Sequence, residues 1–179
     1  MDAIQTSLDE KKQGVRGFGL MEAIQYHPIG RIASPFQDNT GVPRQAVGAL
    51  DTRATIEIFD AFAEGLKDLD GFSHIVVIFH LHRVTKPSLV AHPPWDGKEH
   101  GVFATRSPYR PNPIGISVVR LERIDGNVLE ISGVDMIDGT PVLDIKPYIP
   151  ELNPTAEVKV GWLAAGKAEG MIRSRSGDR

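Results

Sequence analysis

The sequence predicts a mainly β domain, an antiparallel sheet closed as a β-barrel with a few short helices. Three observations carry this. Short runs rich in β-branched residues recur along the chain, bounded by Gly, Pro, Asn and Asp. They do not alternate with long helices, as a doubly wound parallel sheet requires. The tripeptide Asp125-Gly126-Asn127 between two such runs is a hairpin turn. Closure into a barrel removes the exposed edges such a sheet would otherwise carry.

Residues 1–22 are polar and are read as a flexible or loosely docked N-terminal extension. Glu22–Ile32 is a first strand with Gly30 near its end. Ser34–Arg44 gathers Pro, Asp, Asn, Thr and Gly and is a loop. Ala54–Ile58 is a short strand. Apolar residues at Phe59, Phe62, Ala63, Leu66 and Leu69 have the spacing of a helix face, which Gly71 ends. His74–Leu81 is the strongest strand and is expected at the centre of the sheet. Ile114–Ile124, Val128–Val134 and Pro141–Ile145 are further strands, and Ala156–Leu163 is a last strand or short helix. The barrel domain thus covers 23–163, with a tail over 164–179 rich in Gly, Ala, Ser and charge.

Composition narrows the function classes. A chain of 179 residues with 41% hydrophobic and 24% charged residues suits one globular domain. It has no cysteine, so no disulfide, thiolate nucleophile or thiolate metal site. No apolar run approaches the roughly 18 residues of a membrane span, and the N-terminus lacks the apolar core of a signal peptide. A cytoplasmic location follows as the default. The net charge of −3 argues against indiscriminate nucleic-acid binding but permits a local basic face. Arginines concentrate between Val102 and Arg123, and basic residues again between Lys159 and Arg179.

The densest chemistry lies in Phe103–Ser117. Three prolines stiffen this loop before any ligand arrives. Arg106 and Arg110 bring planar donor forks suited to a carboxylate, a phosphate or a base edge. Asn112, held between prolines, presents its amide in a fixed direction, and Tyr109 offers a ring for stacking. A second stretch, Asp135–Tyr148, sets Asp144, Lys146 and Tyr148 on one face of an extended segment. His80 and His82 share a face of the predicted central strand, a spacing open to metal ligation with His92 or His100, or to ordinary hydrogen bonding. No Gly-x-Gly-x-x-Gly follows a strand, no P-loop is present, and there is no Gly-x-Ser-x-Gly elbow.

Three segments, "GVPRQ" at Gly41–Gln45, "FATRSPYRPNPIG" at Phe103–Gly115 and "DGTPVLDIKPYIP" at Asp138–Pro150, closely resemble the TrmO/TsaA-like proteins, also called YaeB-like or VirR-like. The resemblance runs from about Ile29 to Pro154. It implies a small β-barrel, a homodimer and S-adenosyl-L-methionine as cofactor. It further implies methylation of N6 of threonylcarbamoyl-adenosine next to the tRNA anticodon. By resemblance, the cofactor is contacted by Pro43, Arg44 and Gln45, by His82 and Arg83, by Arg106 and Ile114–Ile116 including Gly115, and by Asp135, Met136, Asp138, Gly139 and Thr140. Arg83 departs from the His-Gln pair found there in the family, which opens the polar contact at that place. Longer bacterial members carry a further C-terminal domain, which bears on the tRNA substrate.

Within that frame the catalytic set is Asp138, Asp144, Lys146 and Tyr148. A proton must leave the methylated nitrogen, and Asp138, Asp144 and His82 are the candidate bases. Arg110, Asn112 and Tyr109 are assigned to the substrate, with Arg110 and Lys146 suited to its threonyl carboxylate or the anticodon-loop phosphates. Two other readings stand beside this one. One is a non-catalytic S-adenosylmethionine- or nucleotide-binding regulatory module. The other is a metal-dependent hydrolase built on His80, His82 and nearby carboxylates.

Overall fold

The computed structural model describes residues 23–38, 42, 50–153 and 157–163. Its strands are β1 (Gly30–Ala33), β2 (Arg53–Ile58), β3 (His74–His80), β4 (Val90–Ala91), β5 (His100–Gly101), β6 (Ile114–Asp125), β7 (Val128–Ser132) and β8 (Pro141–Pro147). Six of them close an antiparallel barrel in the order β1-β2-β7-β6-β3-β8. β4 and β5 form a separate two-stranded sheet, which the sequence pattern does not announce.

Alternation explains the closure. In β3 the inward positions Ile75, Val77 and Phe79 are buried, and in β6 the inward positions are Ser117, Val119 and Leu121. With Ile32, Ile56, Ile58, Leu129, Ile131 and Val142 from the other strands, the apolar ones among them form one core. β3 lies between β6 and β8; because the barrel is closed every strand is flanked on both sides, so the central place expected of β3 has no counterpart. β6 and β7 are joined by a two-residue turn with Gly126 at φ 60°, as its first central position demands. The Asn127 side chain then donates to Ile58 O at 2.7 Å and docks the hairpin on β2.

Three elements differ from expectation. The first strand begins only at Gly30, because Pro28 has no N–H for a ladder. The segment after β2 is helical but forms two 3₁₀ helices, Asp60–Leu66 and Leu69–Gly71, separated by Asp68 at φ 64°. Its tighter turn leaves Phe59 and Phe62 41% exposed, while Leu66 and Leu69 alone of the predicted face pack on the core. The last predicted element is a 3₁₀ turn at Gly161–Leu163. The extension at 1–22 and the tail at 164–179 lie outside the described residues.

The register gathers one end of the barrel. Phe79 pairs with both Gly115 and Val142, and Arg31 pairs with Pro141. The C-terminal ends of β1 and β3 therefore meet the N-terminal ends of β6 and β8. The loops that carry the two dense motifs leave from this end.

Candidate functional site

The turn before β8 is built against the loop after β1. Ser34 N–H donates to Asp138 Oδ1 at 3.0 Å, and Ser34 Oγ donates to Met136 O at 2.7 Å. Asp138 N–H reaches Phe36 O, and Gly139 N–H reaches Ile32 O. Gly139 has φ 73°, a conformation that suits glycine at the corner. The Thr140 hydroxyl donates to Ile137 O at 2.6 Å. Of the predicted cofactor-lining residues here, Asp138 and Gly139 sit at the barrel end. Met136 differs: its side chain is 1% exposed and belongs to the core. Asp135 accepts the buried Ser117 hydroxyl at 2.6 Å.

The end of β3 adds His82 and Arg83. The strand stops at His80, and His82 N–H donates to His80 O across a tight turn at Leu81. The two-residue period does not extend to His82, so the shared strand face expected of His80 and His82 is lost. Among the described residues no group of three or more His, Asp or Glu side chains is disposed to hold a metal ion. Instead His82 Nδ1 lies 3.4 Å from Thr140 Oγ1, and Arg83 Nε donates to His82 Nε2 at 3.4 Å. The Thr140 hydrogen already goes to Ile137 O, so Nδ1–H is the donor to Thr140 and Nε2 is the acceptor. This is the neutral tautomer. Burial, then the adjacent Arg83, then His80 all push the His82 pKa below the ordinary histidine value. Arg83 also donates to Gln37 O at 3.2 Å, fastening the β1 loop to β3.

The arginine loop closes the same end. Leu81 N–H donates to Pro113 O at 2.7 Å, so the loop's exit is pinned to the end of β3. Arg106 is exposed and its Nη2 donates to Ile116 O at 3.1 Å. Ile114 and Ile116 lie on the outer face of β6, 44% and 52% exposed. An exposed cation with donors to spare beside an apolar shelf fits a ligand that joins a carboxylate to a flat ring. Gly115 between them faces inward, where a Cβ would lie 2.3 Å from Phe79 Cε2.

Arg110 behaves differently from Arg106. Its Nη1 donates to the carbonyls of Val102, Thr105 and Ser107 at 3.3, 2.9 and 3.3 Å, and its guanidinium lies 6.0 Å from the Phe103 ring centroid. Arg110 thereby ties the loop to itself. Tyr109 and Asn112 are exposed on its outer side.

The four residues of the expected catalytic set are not brought together. Leu143 is the extra residue of a bulge in β8, opposite the step from Ile78 to Phe79. Beyond it Asp144 and Lys146 share the outer face and form an ion pair at 2.7 Å. Lys146 pairs with Val76, and Tyr148 N–H reaches His74 O at the start of β3. From His74 to His80 is six strand steps, roughly 20 Å. Asp138 thus stays at the end with His82 and Arg106, whereas Tyr148 lies at the other. A hollow of about 550 Å³ also lies toward that far end, lined by His74, Val118, Arg120, Glu122 and Ser132 among others. Glu122 there accepts from Arg120 and from the Ser132 hydroxyl.

Pro43, Arg44 and Gln45 lie outside the described residues. Ser34 and Gln37, which hold the site turns, carry no motif; only the placing of Ser34 at the head of a turn-rich loop marks it, while Ser117 closes the dense stretch without a role assigned to it there.

Comparison with known proteins adds an independent line. Residues 31–153 match the family model of the tRNA-methyltransferase O N-terminal domain. A Pyrococcus abyssi protein named a probable S-adenosyl-L-methionine-binding protein is 54% identical over 140 residues, 78% of this chain and 76% of its own. A tRNA (adenine(37)-N6)-methyltransferase of Mus musculus is 41% identical over 140 residues, 74% of this chain and 32% of its own. The crystal structure of TrmO from Pseudomonas aeruginosa superposes with a TM-score of 0.65 at 39% identity, covering 78% of this chain and 62% of that one. The chain therefore spans less than two thirds of the solved relative and about a third of the mouse enzyme.

Proposed function

Because the chain belongs to the tRNA-methyltransferase O family, we propose that it is an S-adenosyl-L-methionine-dependent methyltransferase acting on tRNA. We further propose N6 of threonylcarbamoyl-adenosine beside the anticodon as the position modified, a homodimer as the working form and the cytoplasm as its location. The observation that carries the reading is the exposed Arg106 guanidinium beside the apolar shelf of Ile114 and Ile116. No helix among the described residues is long and apolar enough to cross a membrane.

When bound, the cofactor supplies a methyl group activated on a sulfonium. The chain's own residues position and deprotonate. Arg106 meets the carboxylate of the aminoacyl end, and Ile114 and Ile116 cover the ring. Asp138, Gly139 and Thr140 border the adenosine end; Pro43, Arg44 and Gln45 complete the contacts in this proposal. His82 is neutral and engaged at both ring nitrogens, so it adds no positive charge beside a cation. Asp138, the carboxylate of the catalytic set at this end, takes the proton that N6 loses. Tyr109 and Asn112 present a ring and an amide outward to the anticodon loop. Lys146, in its surface ion pair, is assigned to phosphate contacts.

One observation favours a second reading, a cofactor-binding module without transfer. The Pyrococcus relative, of which this chain covers 76%, is named for binding, whereas the methyltransferase of Mus musculus is covered for 32%. Calorimetric titration with S-adenosyl-L-methionine, followed by labelled-methyl transfer to tRNA lacking the mark, separates the two. Binding with transfer supports the enzyme, binding without transfer supports the module, and no binding at millimolar cofactor sinks both.

A further inference from the structure

Beside the arginine loop, a second constellation takes no direct part in the chemistry above. His100 in β5 is 15% exposed and its Nε2 lies 2.5 Å from Oδ2 of Asp96, whose side chain is 1% exposed. A carboxylate only accepts, so Nε2 carries the hydrogen and the bond fixes the plane of the imidazole. Onto that plane stacks the indole of Trp162, with ring centroids 4.0 Å apart and planes 20° from parallel. The indole N–H donates to Ala104 O at 2.8 Å. Ala104 ends the 3₁₀ turn Val102–Ala104 and stands two residues before Arg106.

We propose that Trp162 is a positioning residue: seated on the Asp96–His100 pair, it clamps the root of the arginine loop and so sets where Arg106 can reach. The loop's other supports are at different points. Arg110 braces it from within and Leu81 N–H pins its exit at Pro113. Val102, 1% exposed, anchors its entrance. Ala104 lies between, in an exposed stretch with Phe103 at 77% exposure. A hydrogen bond from a chain segment 58 residues away limits the rotation of that stretch. This inference rests on the proposed cofactor role of Arg106; the clamp itself does not.

The test compares wild type, Trp162→Ala and Trp162→Phe by amide hydrogen exchange without cofactor, then by S-adenosyl-L-methionine affinity and steady-state methyl transfer. Trp162→Ala is expected to raise exchange over 103–107 roughly tenfold, the scale of one hydrogen bond with its stack. The β3 amides keep their protection. The KM for cofactor is expected to rise by a similar factor with kcat little changed. Trp162→Phe, which keeps a stacking ring and loses the N–H, is expected to fall between. Unchanged exchange over 103–107 in Trp162→Ala overturns the clamp, as does equal loosening of the whole barrel. Loosening confined to 103–107 in a protein that binds no cofactor supports the clamp and overturns the functional reading alone.

Discussion

Arg106 Nη2 donates to the carbonyl oxygen of Ile116 at 3.1 Å, tying the first arginine of the loop to the outer face of the strand that follows it. The guanidinium has donors beyond that bond and is exposed, so it can also hold an anion over Ile114 and Ile116. Hydrogen bonds to a charged group contribute about 1.5–3 kcal/mol. Arg106→Ala is expected to weaken S-adenosyl-L-methionine binding about ten- to a hundredfold by calorimetry. Its unfolding temperature stays near that of wild type, because no buried contact is removed. Arg106→Lys is expected to recover only part of the affinity, since an ammonium lacks the planar fork. Wild-type affinity in Arg106→Ala would refute the assignment.

Arg110 tests the opposite role. Its three bonds to loop carbonyls predict a cost in order rather than in direct ligand contact. Arg110→Met keeps the apolar stem and removes the donors. Stability is expected to fall by about 1–3 kcal/mol in urea titration, with faster amide exchange across 103–109. If both stay at wild-type values while tRNA binding weakens, Arg110 is a substrate contact and the brace is unimportant.

The barrel was legible because its strands alternate cleanly: Ile75, Val77 and Phe79 face in from a run of seven residues. Side-chain alternation also sets Asp144 and Lys146 on one face, as the ion pair between them bears out. What alternation does not encode is height along the barrel. β8 carries these residues away from Asp138, and Tyr148 reaches the far end beside His74. The two-residue period likewise ends at His80, one turn before His82. Contacts such as Ser34 to Asp138, 104 residues apart, and Trp162 to Ala104 leave no local trace in sequence. They arise only when the closed sheet brings loop ends together.

His82 makes the site sensitive to pH in a defined direction. Its native pKa is lowered from the ordinary 6.5 by burial, Arg83 and His80. Between 6.5 and that lower value the unfolded chain binds a proton that the native chain does not. Stability therefore falls as pH drops through this window, and His82 contributes no pH dependence above it. Protonation would also put a cation next to Arg83 and break the bond that Nε2 accepts. The difference in urea midpoint between pH 7.5 and pH 5.5, values chosen to lie about one unit either side of an ordinary histidine, is expected to shrink in His82→Gln. Identical pH slopes for the two proteins would remove His82 from this account.

The inward side of Gly115 is matched to Phe79. The two residues pair across β3 and β6, and a Cβ at Gly115 would meet Phe79 Cε2 at 2.3 Å and Cζ at 2.4 Å. The ring is 5% exposed within the core, so it can yield only by displacing neighbours. Overpacking of this kind costs about 1–3 kcal/mol, which corresponds to a Tm lower by roughly 3–10 °C. Gly115→Ala should show that loss in thermal unfolding. Phe79→Leu removes part of the ring, so the double variant is expected to be less destabilised than the sum of the two single changes. The coupling is expected to exceed about 0.5 kcal/mol, the size typical of residues in contact. Strict additivity, or an unchanged Tm in Gly115→Ala, would mean that the ring moves aside freely. The glycine would then have to be explained by what approaches the strand from outside.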